Sequence, residues 1–396
     1  MTTRREFLKL STAAAPLATL FPSMFAHAAL TDSATADRVI VLLRLGGGND
    51  GLNTVVPIED DIYHRARPSL RVAKNEAHRL TDELALHPAL TGVKGLFDDG
   101  RVTIVNSVGY PTPDRSHFRS TDIWHTARTG DAPRRTGWAA RAVDGAARKG
   151  SVPAIAVLDD EAPLALVGAR TPAPIVPSID DVLLKDDGLG RSARDAASAG
   201  ERGANPALAH VRAATEMAVD TAARLGEVAA ATKSDAFPPS RLGQRLATVN
   251  SLLRARLGTR VFYTALDGFD THTRQKENHA LLLADLDRSL KAWSDDLAAT
   301  GDDRRVLLVT FSEFGRRVRE NASMGTDHGA AAPLFCVGGG LNPGVLGDPP
   351  DLEDLDDGDV KFRVDFRRVY STLLERWLGV DAREPLGDSF EPLPFV

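Results

Sequence analysis

Three short segments in the second half of the chain carry side chains able to hold a divalent cation: Gly268-Phe269-Asp270-Thr271-His272, Ser312-Glu313-Phe314-Gly315-Arg316 and Gly325-Thr326-Asp327-His328-Gly329. Carboxylate oxygens and imidazole nitrogens are the donors that ions such as zinc and manganese take, and carboxylates alone suit calcium or magnesium. In Asp270-Thr271-His272 the two donors stand two residues apart, so on an extended segment they point to one side and can share one ion. Glu313 follows an apolar run that reads as a strand, and Asp327-His328 precedes the next such run. Strand ends are where α/β proteins assemble sites. Each residue taken singly could equally cap a turn or pair with a surface charge; convergence of several on one sheet edge is what argues for metal.

Two earlier segments add candidates. Leu45-Gly46-Gly47-Gly48-Asn49-Asp50-Gly51 spells G-x-G-x-x-G, the dinucleotide fingerprint, but Thr54-Val55-Val56-Pro57 follows where that motif needs a helix. Two readings remain for Asp50: a metal ligand projected by the tight glycine turn, or a turn cap. In Pro111-Thr112-Pro113-Asp114-Arg115-Ser116-His117-Phe118 two prolines hold the loop extended and a helix can begin at Ser116, where free backbone amides favour an anion. Ser116, with Arg115 and His117 beside it, is a candidate nucleophile, and an N-cap with a packed ring after it is the plain alternative. Arg316 and Arg317 could bind a phosphate or sulfate group or pair with Glu320. The other histidines, His64, His78, His87, His125, His210 and His279, lack such context and read as structural.

The elements that must position these residues are short β-branched runs bounded by glycine: Arg38 to Leu45, Arg101 to Val108, Val152 to Leu158, Thr259 to Leu266, Arg304 to Phe311 and Pro333 to Val337. Continuously apolar runs suit strands buried on both faces of a parallel sheet. Leu282, Leu286, Leu290, Trp293 and Leu297 recur at helical spacing between two of them, which predicts a right-handed β-α-β crossover. Residues 186–205 are rich in Gly, Ala, Ser, Asp and Arg and read as a flexible surface insertion, a loop or a lid. Cys336, the single cysteine, lies in an apolar run and reads as a buried small hydrophobe.

The first residues address the chain. Thr3-Arg4-Arg5-Glu6-Phe7-Leu8-Lys9 is a twin-arginine signature, followed by an uncharged Ala-rich stretch ending in Ala26-His27-Ala28. Residues 1–28 are therefore expected to be a cleaved leader engaging the twin-arginine export machinery, and residues 29–396 one periplasmic or secreted domain. Loss of Arg4, Arg5 and Lys9 together with Glu6 takes a net +2 from the formal charge of −6 and leaves −8. An acidic surface argues against nucleic acid as partner, and 43% hydrophobic with 26% charged residues is an ordinary globular composition.

Taken together, the leader, Gly47-Gly48-Asn49-Asp50-Gly51-Leu52-Asn53-Thr54-Val55-Val56-Pro57, Leu86-His87-Pro88-Ala89-Leu90, Arg115-Ser116-His117-Phe118 and the three metal-type segments resemble the exported family catalogued as domain of unknown function 1501, over almost the whole mature chain. That family in turn resembles the alkaline phosphatase and sulfatase superfamily. The resemblance implies a three-layer αβα sandwich around a mostly parallel sheet, a divalent metal and an anionic phosphate or sulfate ester as substrate, small or polymeric. It implies Asp50 as the first-strand metal ligand, Ser116 as nucleophile, with Arg115 holding the anion and His117 shuttling a proton, and Asp270, His272, Glu313, Asp327 and His328 as ligands. The sequence departs from the superfamily in the tighter Asp270-His272 spacing, in a Glu313 without a following histidine, and in lacking a Cys/Ser-x-Pro-x-Arg motif. The rival class is a non-catalytic cell-envelope binding protein on the same fold; a serine esterase using Ser389 lacks the G-x-S-x-G elbow.

Overall fold

Val39–Gly46 (β1) is buried along nearly its whole length, and its side chains alternate between two separate cores. Val39, Val41, Leu43 and Leu45 join one, while Ile40 and Leu42 join the other. A strand clothed on both faces needs a helical layer on each side, which is what the rest of the chain supplies. The computed structural model describes residues 35–144, 152–159, 161–168, 173–178 and 236–396. The expected leader over 1–28, the insertion over 186–205 and His210 lie outside the described residues.

In chain order the remaining elements are α1 (Gly51–Thr54), β2 (Val55–Pro57), α2 (Asp61–Ala66), β3 (His78–Arg79), β4 (Leu84–Leu86), α3 (Thr91–Asp98), β5 (Val102–Gly109), α4 (His117–Thr126), α5 (Trp138–Asp144), β6 (Ala154–Ala156) and a 3-10 turn over Leu164–Leu166. They continue with α6 (Arg241–Arg254), β7 (Val261–Asp267), α7 (Gln275–Thr300), β8 (Val306–Phe311), β9 (Ala332–Val337) and β10 (Gly344–Leu346). The chain closes with β11 (Leu355–Asp356), β12 (Asp359–Val360), β13 (Val364–Asp365), α8 (Phe366–Ser371), a π-helical turn over Thr372–Leu378 and α9 (Arg383–Leu386). The central sheet runs β10-β5-β9-β8-β1-β7-β6, with β13 also against β5.

One core packs α3, α6 and α7 on the sheet, with Leu283, Leu286, Leu290, Trp293 and Leu297 of α7 all buried. Leu283 takes the place expected of Leu282, which is only half-buried. The other core packs α4, α5 and α8 through Trp124, Trp138 and Tyr370, and Cys336 is buried within it. Each fully enclosed leucine or tryptophan contributes on the order of 2 kcal/mol or more, so the two faces together outweigh any single polar contact. A small sheet, β2-β4-β3, shelters a third cluster around Leu52, Val56 and Tyr63.

The fold is therefore α/β with a mostly parallel sheet between two helical layers. Strands β8, β1, β7 and β6 run parallel to one another, while β9 is antiparallel to both its neighbours, β5 and β8. That reversal sets the location of the site. The N-terminal end of β9 lies at the same sheet edge as the C-terminal ends of β1, β5, β7 and β8, so Asp327-His328, which precede β9, meet the segments that follow the other strands.

Candidate metal centre

The Ser312-Glu313-Phe314-Gly315-Arg316 segment, where the chain leaves β8, organises that edge. Ser312 Oγ donates to the Leu45 carbonyl and accepts the Asn49 amide, each at 2.8 Å, which pins the glycine loop after β1. Glu313 Oε1 accepts the Gly47 amide at 2.8 Å and His117 Nδ1 at 2.9 Å. The Trp124 indole of α4 donates to the Glu313 carbonyl at 2.9 Å, and Ser120 donates to it as well. The Phe314 ring packs on His117 and His328, with centroids 4.9 and 4.5 Å away. Arg316 is enclosed and donates to the carbonyls of Gly47, Gly48, Phe269 and Thr326 and, at 2.7 Å, to Asp270 Oδ1.

Gly47 shows why glycine is needed in this loop. Its φ is +114°, and a Cβ there would come within 2.4 Å of the Asp270 amide nitrogen. Any side chain would push the Asp270 segment away from the edge.

Among the described residues, His117, Asp270 and His328 form a group whose donor atoms all lie within 4.8 Å of one another. His328 Nε2 is 3.1 Å from Asp270 Oδ1, and His117 Nε2 is 3.5 Å from Asp270 Oδ2. The far nitrogen of each ring is already committed. His328 Nδ1 lies 2.8 Å from the Arg115 carbonyl, which can only accept, so that nitrogen carries the proton. His117 Nδ1 faces the Glu313 carboxylate in the same way. Each ring is thus left offering Nε2 to the site, and as a neutral imidazole it offers a lone pair aimed at a carboxylate. His117 Nε2 is buried and makes no hydrogen bond. A divalent ion can take two such nitrogens and a carboxylate together, and a histidine backed by a carboxylate or carbonyl is the usual metal-ligand arrangement. The donor set therefore fits a divalent ion.

His272 stands at the margin of the group. Its Nε2 is 3.1 Å from Asp270 Oδ1 and 2.9 Å from His328 Nε2, and its Nδ1 is 3.4 Å from Asp327 Oδ1. Electrostatics follow the contacts. Burial opposes ionisation of Asp270, but Arg316, His328 and His272 outweigh it and bring the carboxyl down to about 2. The hydrogen bond that His117 donates to Glu313 raises the His117 imidazole. Burial works against the Glu313 charge as well, and its bonds from His117 and the Gly47 amide still leave it lowered. Asp327 is lowered by its bond from Asn321 and by His272.

Several expected roles change. Asp50 is not part of the group: its carboxylate is fully buried and accepts from Arg67 NH1 at 2.6 Å and from the Gln275 amide. The glycine loop turns it into the interior because Arg67 waits there. Glu313 stands behind His117 as the group that orients it, and Asp327, largely exposed, stands behind His272. Arg316 is spent on the protein's own backbone and Asp270. Arg317 pairs with Asp357 and Asp359, while Glu320 accepts the amides of Ser69 and Leu70. The Arg115 guanidinium binds Asp357 and Asp359, so Arg115 meets the site through its carbonyl. Ser116 occupies the N-cap position of α4, exposed and without a side-chain capping bond. His117 opens that helix and reaches the site.

A cleft of about 380 Å³ opens beside the group, lined in part by Arg44, His117, Phe118, Asp122, Asp270 and Glu313. Arg67 and Gln275, which no motif marked, turn out to brace the edge from beneath. Gln275 carries one readable sign, its place three residues after His272 at the first turn of α7; Arg67 carries none.

Helices on both faces of a mostly parallel sheet, with a carboxylate and histidines converging at one strand edge, define an α/β protein with a candidate metal centre. The chain belongs to the family described as Protein of unknown function (DUF1501), whose sequence profile matches residues 36–388. No curated protein matches it in sequence. Similar solved structures include the PsFucS1 sulfatase from Pseudoalteromonas sp., with a TM-score of 0.41 and 9% identity over 93% of this chain and 73% of that one. The periplasmic domain of EcEptC from Escherichia coli in complex with Zn gives 0.39 and 11%, over 91% and 92% of the two chains. The lipoteichoic acid synthase LtaP from Listeria monocytogenes gives 0.35 and 10%, over 79% and 68%. Likenesses this distant assign nothing to this chain, whose chemistry rests on its own residues.

Proposed function

We propose that the protein is an exported, metal-dependent hydrolase of phosphate or sulfate esters in which His117, Asp270 and His328 hold one divalent ion. The observation that carries the reading is the pair of histidines whose outer nitrogens are bound by Glu313 and the Arg115 carbonyl while their inner nitrogens converge on Asp270. A divalent ion held there supplies Lewis acidity toward an ester oxygen. The protein's own groups do the rest. Arg316 fixes the Asp270 carboxylate, and Glu313 keeps His117 in one tautomer and orientation. His272, beside the group and backed by Asp327, holds or moves a proton at Nε2. Ser116, one residue before His117, is the hydroxyl we assign to attack or to orienting the ester. The adjoining cleft receives the organic part of the substrate.

Export rests on the twin-arginine leader. Among the described residues no helix is long and apolar enough to cross a membrane.

A non-catalytic envelope binding protein has one observation in its favour: the guanidinium groups of Arg115, Arg316 and Arg317, which a phosphate or sulfate clamp would use, are engaged by the protein itself. The deciding measurement is the metal content of exported protein purified without chelator or affinity metal, beside Asp270→Ala and His328→Ala. One ion per chain in the parent, lost in both variants, supports the hydrolase and is to be followed by a phosphate- and sulfate-ester screen. Folded parent protein without metal, even after reconstitution, rejects it. On any ester that is turned over, Ser116→Ala with metal retained and turnover lost supports attack by Ser116; unchanged turnover removes the serine from the mechanism.

A further inference from the structure

We propose that Gln275, seated on the buried Asp50–Arg67 ion pair, is a positioning residue that holds the Asp270–His272 loop and the Asp327–His328 loop at the spacing a shared ion requires. The inference rests on the one-ion reading above and deepens it. Gln275 is fully buried as the first residue of α7. Its Oε1 accepts from Thr271 Oγ1 at 3.1 Å and from Thr326 Oγ1 at 2.6 Å. Thr271 lies between Asp270 and His272, and Thr326 directly precedes Asp327, so the two lone pairs of one amide oxygen are divided between the two loops.

The orientation of that amide is dictated from below. Its NH₂ donates to Asp50 Oδ2, and a carboxylate can only accept, so the oxygen must face the threonines. Asp50 is itself immobilised by Arg67, and Arg67 also donates to the carbonyls of Arg317 and Val318 at 2.9 Å each. The anchor therefore reaches the segment that follows Arg316 as well. A buried ion pair is a poor device for stability, since well-packed apolar residues do as well or better. Here it supplies fixed geometry at the floor of a metal centre. It also accounts for Asp50 in its glycine loop, which is paired with Arg67 in the interior and lies outside the His117–Asp270–His328 group.

On the exposed side the same two loops are joined by Asn321, whose Nδ2 donates to the His272 carbonyl at 3.1 Å and to Asp327 Oδ1 at 3.2 Å. Gln275 closes the buried side of that bracket.

The test is zinc titration of the full chain, comparing the parent with Gln275→Met, which keeps length but has no donor or acceptor, and with Thr326→Val, which removes one hydroxyl at constant shape. The expected result is a zinc Kd weakened about 10- to 100-fold in Gln275→Met, the range for losing a group that orients ligands. A smaller loss is expected in Thr326→Val, with one ion per chain retained throughout and the double variant little worse than Gln275→Met alone. Zinc affinity equal to the parent's in both single variants overturns the proposal, whatever happens to thermal stability. If Gln275→Met does not fold, Thr326→Val decides. A second readout needs no metal: amide hydrogen exchange at residues 269–272 and 325–328 in zinc-free protein. Loss of protection in both segments together in Gln275→Met supports the clamp; loss in only one or in neither overturns it. A parent protein that takes up none of zinc, manganese, calcium or magnesium rejects the hydrolase reading and leaves this second readout to judge the clamp.

Discussion

Replacing Glu313 by Gln keeps an acceptor for His117 Nδ1 and for the Gly47 amide but removes the negative charge behind the ring. Imidazole basicity falls while the geometry stays, so Glu313→Gln should bind one ion about 10-fold or more weakly than the parent with little change in unfolding midpoint. An unchanged metal affinity would mean that Glu313 only packs. Asp50 and Asp270 are both carboxylates at the strand edge, and they should respond oppositely to removal of charge. Asp50→Asn strands a buried guanidinium and should cost roughly 3–5 kcal/mol in denaturant unfolding. Asp270, about half exposed, should tolerate Asn in stability and lose the metal. Nothing in the sequence separates the two, because each pairs with an enclosed arginine, Arg67 or Arg316, and what distinguishes them is that the fold buries Asp50 and leaves Asp270 half exposed.

At the scale of elements, β1, β5, β6, β7, β8 and β9 were readable because each is a short apolar run, while the remaining two- and three-residue strands were not, and the metal-type residues were readable because they stand next to those runs. Direction was not. An apolar strand carries no mark of polarity, so the reversal of β9 emerges only from its pairing with β5 and β8. The helical stripe of α7 was readable too, yet the buried face takes Leu283 in place of Leu282, since packing on the sheet selects the face and periodicity only approximates it. The glycine loop resolves in similar fashion. Its motif permitted a nucleotide, while its structure shows a close approach of Gly47 to the Asp270 backbone. Gly47→Ala should therefore reduce metal binding more than it reduces stability, and metal titration beside a melting curve measures both. Equal metal affinity in that variant would show that the loop gives way without disturbing the ligands.

For the whole molecule, acid should be the weak condition. His125 and His279 are buried, and desolvation pushes both imidazoles from 6.5 down to about 3. The unfolded chain protonates them near 6.5, so between about 6.5 and 3 it binds more protons than the folded state, and stability falls as pH falls through that window. Above 6.5 the contribution is complete. Each histidine removes roughly 1.4 kcal/mol per pH unit inside the window. Denaturation midpoints measured at pH 7.5 and 5 should drop, and His125→Phe should flatten the decline; parallel curves would show that other groups set it. The sheet order has a consequence in time as well as in space. Among the described residues, strand β5, which leads to His117, joins β8, β1 and β7 only through β9, so until β9 inserts, the sheet is two pieces with His117 on one and Asp270 on the other. Such non-local closure is slow. Uptake of zinc during refolding should accordingly lag the recovery of secondary structure, and an ion in place would signal that the last central strand has arrived.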